Sequence, residues 1–189
     1  MSCTQPLTGE DPLRVAVIVG STRQGREGDG IADWFAELAR GRRDLCVDLV
    51  DLADFHFPER YPEAPTPEVM KFTDRVDAAE AFVIVTPEYN HSFPASLKQA
   101  IDFAYDEWQA KPVGFVSYGS RSIGTHAVTH LRAVFTELHT VTVRDCVGLD
   151  LLGPRDPEDS ARSAEAMLRQ LAWWGLALRE GRASRPYCT

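Results

Sequence analysis

The chain has little of what would place it in a membrane, on nucleic acid or in a disulfide scaffold. No apolar run approaches the ~18–20 residues of a membrane span. The opening residues, MSCTQPLTGEDPLR, lack a basic stretch followed by an apolar run, so no signal peptide is read. Basic residues are scarce: 20 Lys and Arg against 28 Asp and Glu leave a net charge of −8. That sign excludes duplex nucleic acid and anionic lipid as main partners, since both need a basic face. The four cysteines, Cys3, Cys46, Cys146 and Cys188, form no CxxC pair. A chain of 189 residues can bury a core without staples, so a reducing, cytoplasmic setting is expected. Cys46, Cys146 and His139 read as strand or packing residues, and a Cys3–Cys188 bridge has little support. Two nucleotide motifs are also missing. There is no G-x-G-x-x-G, and Gly20-x4-Gly25 is followed by Arg26-Glu27 where a P-loop needs Lys-Ser/Thr.

What is present alternates. Leu13 to Gly20, Leu45 to Leu52, Ala81 to Pro87, Pro112 to Gly119 and Thr140 to Gly148 are short, mostly apolar runs of the kind found in strands buried on both faces. Between them, apolar residues recur at helical spacing: Ile31, Phe35 and Leu38; a helix over 68–77 after a Pro-rich loop from Pro58 to Pro67; Leu97, Ile101, Ala104 and Trp108; and Ala127, Leu131, Val134 and Leu138. A last helix starts near Pro157 and shows Ala164, Leu168, Leu171 and Leu178. Five βα units in a row predict an α/β fold with a parallel sheet covered by helices on both faces. The short chain favours the strand order 2-1-3-4-5, with ligands bound beyond the carboxyl ends of the strands at the switch between strands 1 and 3.

Three loops meet at that edge. The first, Gly20 to Gly30, holds four glycines, the hydroxyls of Ser21 and Thr22 and the cations Arg23 and Arg26, and it opens a helix. Free N–H groups and the helix dipole suit such a loop to phosphate. The second, Thr86 to Pro94, turns at Pro87 and offers Glu88, Tyr89 and Asn90. From composition it is either a surface turn or the wall of a flat heterocycle site. The third, Ser117 to Gly124, again combines glycine, hydroxyls and one aromatic. Together they describe a mononucleotide site.

The run Gly20-Ser21-Thr22-Arg23, the stretch from Pro87-Glu88-Tyr89-Asn90-His91-Ser92 through Leu97-Lys98-Gln99-Ala100-Ile101-Asp102, and Lys111-Pro112-Val113 with Ser117-Tyr118-Gly119 resemble the NAD(P)H-dependent FMN reductase family. That family includes quinone, azo-dye and chromate reductases. The resemblance covers about residues 13 to 178. It implies a flavodoxin-like three-layer sandwich and a single FMN-binding domain over 1–189, with 1–12 and 180–189 as flexible termini. It implies that Ser21, Thr22, Arg23 and the backbone near Gly28 hold the FMN phosphate. Pro87, Glu88, Tyr89 and Asn90 would wrap one edge of the isoalloxazine, and Tyr118, Gly119 and Ser120 would contact its pyrimidine end. The implied activity is ping-pong hydride transfer from NADPH or NADH to a small-molecule electron acceptor, with no side chain required as acid or base. Family members are usually dimers or tetramers, so a homodimer or homotetramer is expected.

The remaining features have plainer readings. His126 and His130 stand at i and i+4, but Ala127 occupies the place of the zincin glutamate, so they read as exposed helix histidines and no metal is expected. Adjacent Trp173 and Trp174 cannot both face one core, and an exposed tryptophan points to an oligomer contact. The rival functions are a flavodoxin-type electron carrier without NAD(P)H activity, and a family member that treats flavin as a substrate. A receiver-type domain would need carboxylates after strand 1, where Gly20-Ser21-Thr22 stands.

Overall fold

The computed structural model describes residues 11–153 and 156–188. The chain alternates as its pattern requires: β1 (Leu13–Val19), α1 (Gly28–Arg40), β2 (Leu45–Asp51), α2 (Pro67–Ala78), β3 (Ala81–Pro87), α3 (Ala95–Phe103), β4 (Pro112–Gly119), α4 (Thr125–Glu137), β5 (Val141–Thr142), β6 (Val147–Asp150) and α5 (Pro157–Ser184). The sheet is parallel, in the order β2-β1-β3-β4-β5, and β6 also pairs with β4. This is the flavodoxin-like 2-1-3-4-5 arrangement.

Strand side chains alternate between faces, and in the central strands both faces are apolar. Val15, Val17, Val19, Ala81, Val83 and Val85 enter a core with Ile31 and Phe35 of α1 and Met167, Leu168 and Leu171 of α5. Ala16, Ile18, Phe82, Ile84, Val113 and Phe115 enter the opposite core with α2, α3 and α4. Continuous apolar runs are thus the signature of a doubly covered sheet.

Three elements depart from the sequence pattern. The fifth strand is broken into β5 and β6, because the chain between them leaves the ladder. Its backbone groups are taken up by side chains: Gln170 accepts from the N–H of Asp145, and Arg132 donates to the carbonyls of Val143 and Arg144. The helix face running to Trp108 ends early. α3 stops at Phe103, and Trp108 reaches the same core from a 3₁₀ turn over Asp106–Trp108. Its indole N–H donates to the carbonyl of Ile101, 3.1 Å away, which also accepts from the N–H of Ala104 at the end of α3. Finally, residues 180–184 continue α5 where a loose terminus was expected. Within this stretch Arg182 donates to the carbonyl of Ala110, and just before it Arg179 grips Glu80. The other expected loose segment, 1–12, lies almost wholly outside the described residues. Cys188 carries a free thiol, so it makes no bridge to Cys3. Cys46 on β2 is disulfide-bonded, whereas the sequence pattern suggested only a packing thiol. Trp173 and Trp174 are both exposed and meet edge to face.

Candidate functional site

β1, β3 and β4 end side by side, and the register Val19↔Val85 and Pro87↔Tyr118 brings their following loops together. The loops enclose a cavity of about 340 Å³ lined by Ser21, Arg23, Gly25, Arg26, Glu27, Pro87, Glu88, Tyr89, Tyr118, Gly119, Ser120 and Leu151. Eight of the eleven residues singled out from the sequence are in this set: Ser21, Arg23, Pro87, Glu88, Tyr89, Tyr118, Gly119 and Ser120. Thr22, Gly28 and Asn90 are not. Gly25, Arg26, Glu27 and Leu151 join it.

The first loop is built to present backbone. Gly25 adopts a left-handed φ of 64°, and α1 starts at Gly28 with no side-chain cap from Glu27. Among the described residues, the N–H groups of Ser21, Thr22 and Arg23 donate to no acceptor. Thr22 is exposed outside the cavity rim. Gly28 is buried, and a Cβ there would stand 2.6 Å from the hydroxyl of Tyr118, so only glycine lets α1 approach β4 this closely.

Arg26 does not act as a loose cation. Its guanidinium donates to the carbonyl of Ser21, to both carboxylate oxygens of Asp51 at the end of β2, and to Asp29 in the first turn of α1. Burial disfavours its charge, but Asp51 and Asp29 more than offset this, so it holds its proton more tightly than an ordinary arginine. The side chain braces the loop against β2. Arg23, exposed and with no ion-pair partner among the described residues, is the cation this loop has to offer.

In the second loop, Tyr89 and Ser92 exchange backbone hydrogen bonds of 2.7 and 2.9 Å, with Asn90 and His91 between them at φ 49° and 61°. Two left-handed residues in a two-residue turn are the signature of a tight hairpin. This turn carries Asn90 to an exposed tip instead of the cavity. The Tyr89 hydroxyl lies 3.3 Å from Ser21 Oγ and ties the first two loops together.

Glu88 ties the second loop to the third. Its N–H donates to Tyr118 O, while its carboxylate accepts from Ser122 Oγ at 2.6 Å and from the N–H of His126 at 3.0 Å. Burial pushes the carboxyl up, but these hydrogen bonds outweigh it and hold Glu88 below the usual carboxylate range. Tyr118 lines the cavity and also packs into the core on the α1 side. Its hydroxyl is buried under the first loop and has no hydrogen-bond partner among the described residues. Burial pushes it up to about 12, with the nearby Ser21 opposing. Gly119 accepts from the N–H of Leu151, which explains how the segment after β6 reaches the cavity. Nothing in the local pattern around Leu151 signals this, whereas Gly25, Arg26 and Glu27 lie within the loop that the sequence marks.

His126 and His130 do not act as a pair. His126 stacks on His91, with ring centroids 4.2 Å apart and planes at 6°, and its Nδ1 lies 3.1 Å from Glu88 Oε1. His130 Nδ1 turns instead to Ser92 Oγ at 3.1 Å.

Comparison with known proteins matches residues 13–151 to the family model described as NADPH-dependent FMN reductase. The chain is 30% identical over 177 residues to a 2-hydroxy-1,4-benzoquinone reductase of Burkholderia sp., covering 86% of this chain and 96% of that protein. It is 31% identical over 121 residues to an NAD(P)H-dependent FMN reductase of Nectria sp., covering 57% of this chain and 60% of that relative's length. Among solved structures, the flavoenzyme NAD(P)H:(acceptor) oxidoreductase FerB of Paracoccus denitrificans superposes with a TM-score of 0.63 at 24% identity, over 89% of this chain and 96% of that one; this likeness bears on the fold. The family match spans most of the chain and includes all three cavity loops, and on that ground the chain belongs to the NADPH-dependent FMN reductase family.

Proposed function

We propose that this chain is an FMN-dependent NAD(P)H oxidoreductase that reduces quinones, azo compounds, flavins or similar small acceptors by ping-pong hydride transfer. The observation that carries the reading is the cavity at the switch point, with an uncapped helix start and free backbone N–H groups on one side and Pro87, Tyr89 and the 118–120 backbone on the other. The residues fit the group. The orphaned Tyr118 hydroxyl lies beneath the phosphate-type loop.

In this reading the Ser21 hydroxyl and the free N–H groups of Ser21, Thr22 and Arg23 hold the FMN phosphate, with the Arg23 side chain adding charge. Arg26 sets the loop's shape. Pro87, Glu88 and Tyr89 form one wall for the ring, and the 117–124 loop donates hydrogen bonds at its pyrimidine edge, where they stabilise negative charge. When bound, FMN supplies the hydride-accepting and hydride-donating chemistry. The chain contributes binding, orientation and shielding, and no side chain is assigned as acid or base. The open rim leaves room for NADPH or NADH and then the acceptor to stack in turn. We place the enzyme in the cytoplasm as a homodimer or homotetramer. The exposed Trp173 and Trp174 support the oligomer by offering an apolar contact surface.

The test is the visible spectrum of the purified protein before and after NADPH under anaerobic conditions. A flavin spectrum that bleaches with NADPH and returns with a quinone is expected. A colourless protein that fails to take up added FMN refutes the proposal. A flavin-loaded protein with no steady NAD(P)H oxidation would instead be an electron carrier.

A further inference from the structure

We propose that Glu88, His91 and His126 form a binding site for a divalent transition metal of the zinc type, set between the hairpin after β3 and the first turn of α4. One ligand atom from each of the three lies within 4.8 Å of the others. His126 Nδ1 and Glu88 Oε1 are already 3.1 Å apart. Two ligands on one tetrahedral zinc, each about 2.0–2.2 Å from it, stand roughly 3.3 Å from each other, so one ion replaces this contact with little movement. The parallel rings keep both imidazoles beside the carboxylate.

The support around these ligands is what a metal site requires. The Glu88 side chain is only 7% exposed, and Ser122 Oγ and the His126 N–H fix its orientation. Hydrogen bonds of this outer kind set the aim of a ligating carboxylate. His91 stands on a hairpin locked by the reciprocal Tyr89–Ser92 bonds, and His126 on a helix, so neither ligand hangs from a loose segment. Two imidazoles and one carboxylate select zinc, cobalt, nickel or copper over magnesium or calcium. Both rings are exposed, so a fourth position stays open to water or a small anion. Because Glu88 also lines the cavity, a bound ion would cross-link one cavity wall to α4.

The experiment is calorimetric titration of chelator-treated, FMN-loaded protein with Zn²⁺, in a Cys146→Ser/Cys188→Ser background that removes the two free thiols. One zinc per chain is expected, with affinity falling at least about tenfold in His91→Ala and in His126→Ala and holding in His130→Ala. Circular dichroism establishes that each variant folds. Anomalous scattering at the zinc edge, from wild-type crystals soaked in Zn²⁺, locates the ion without any variant. Absence of saturable binding, retention of one-to-one binding in a His91→Ala/His126→Ala double variant, equal loss in His130→Ala, or an anomalous peak only elsewhere overturns the site.

Discussion

Arg26→Leu separates a structural brace from a phosphate-binding cation. The wild-type guanidinium is 12% exposed and reaches Asp51, 23% exposed, at 2.8 and 2.5 Å, as well as Asp29 and the carbonyl of Ser21. Leucine fills much of the space but leaves Asp51 half-buried with only the N–H of Ala53 as donor, and it frees the Ser21 carbonyl. Hydrogen bonds to charged groups contribute about 1.5–3 kcal/mol each when shielded. Asp29 is open to solvent and adds little. A net loss of about 2 kcal/mol follows, which for a chain of this length lowers Tm by about 4–8 °C. The assay is thermal unfolding of the flavin-free protein at pH 7, followed by circular dichroism. A cycle with Asp51→Asn should return a coupling of about 1–2 kcal/mol. Arg23→Ala serves as the contrast: it leaves the flavin-free Tm within about 1 °C, yet weakens FMN binding and flattens its salt dependence. If Arg26→Leu leaves the flavin-free Tm unchanged, the brace is refuted.

Two further outcomes test the packing. Gly28→Ala should destabilise by about 1–3 kcal/mol, because its Cβ meets the buried Tyr118 hydroxyl and overpacked cores cost this much; adding Tyr118→Phe should restore most of the loss in denaturant titrations, and no rescue would place the clash elsewhere. Glu80 is buried and gripped by Arg179 and by the N–H of Arg14; burial raises its carboxyl, but these donors outweigh it and hold the group below the usual range. A depressed folded-state value contributes stability above the ordinary carboxylate pKa of about 4.3 and loses it as pH falls through the folded value. Glu80→Gln should therefore cost about 2–4 kcal/mol at pH 7, with the gap to wild type narrowing below about pH 4; a gap independent of pH would remove the carboxylate's charge from the explanation.

The fold was legible because its signals are local. Runs such as Val15 to Val19 and Phe82 to Val85 are apolar at every position, which a strand tolerates only when both faces are covered. Their spacing with helical stretches leaves few topologies. Breaks in the pattern were less legible. Nothing around Arg144 tells that Gln170 and Arg132 satisfy the backbone and allow the fifth strand to part. Trp108 keeps helical spacing with Ile101 yet sits on a separate turn, because periodicity reports which face a residue joins and not the path taken to it.

The same division runs through the site. Sequence alone determined that three loops rich in glycine, hydroxyls and aromatics meet at the carboxyl end of a parallel sheet, because strand order follows from alternation and handedness. Only the tertiary structure decided what each side chain does there. It turned Arg26 from a phosphate cation into a brace, since Asp51 arrives from β2. It put the ring of Tyr118 in the core, since Gly28 lets α1 close over it. It split the His126–His130 pair and gave His126 to His91 and Glu88. Composition counts charges and donors, but their partners come from segments distant in the chain, and the partner determines whether a charged group is free to bind a ligand.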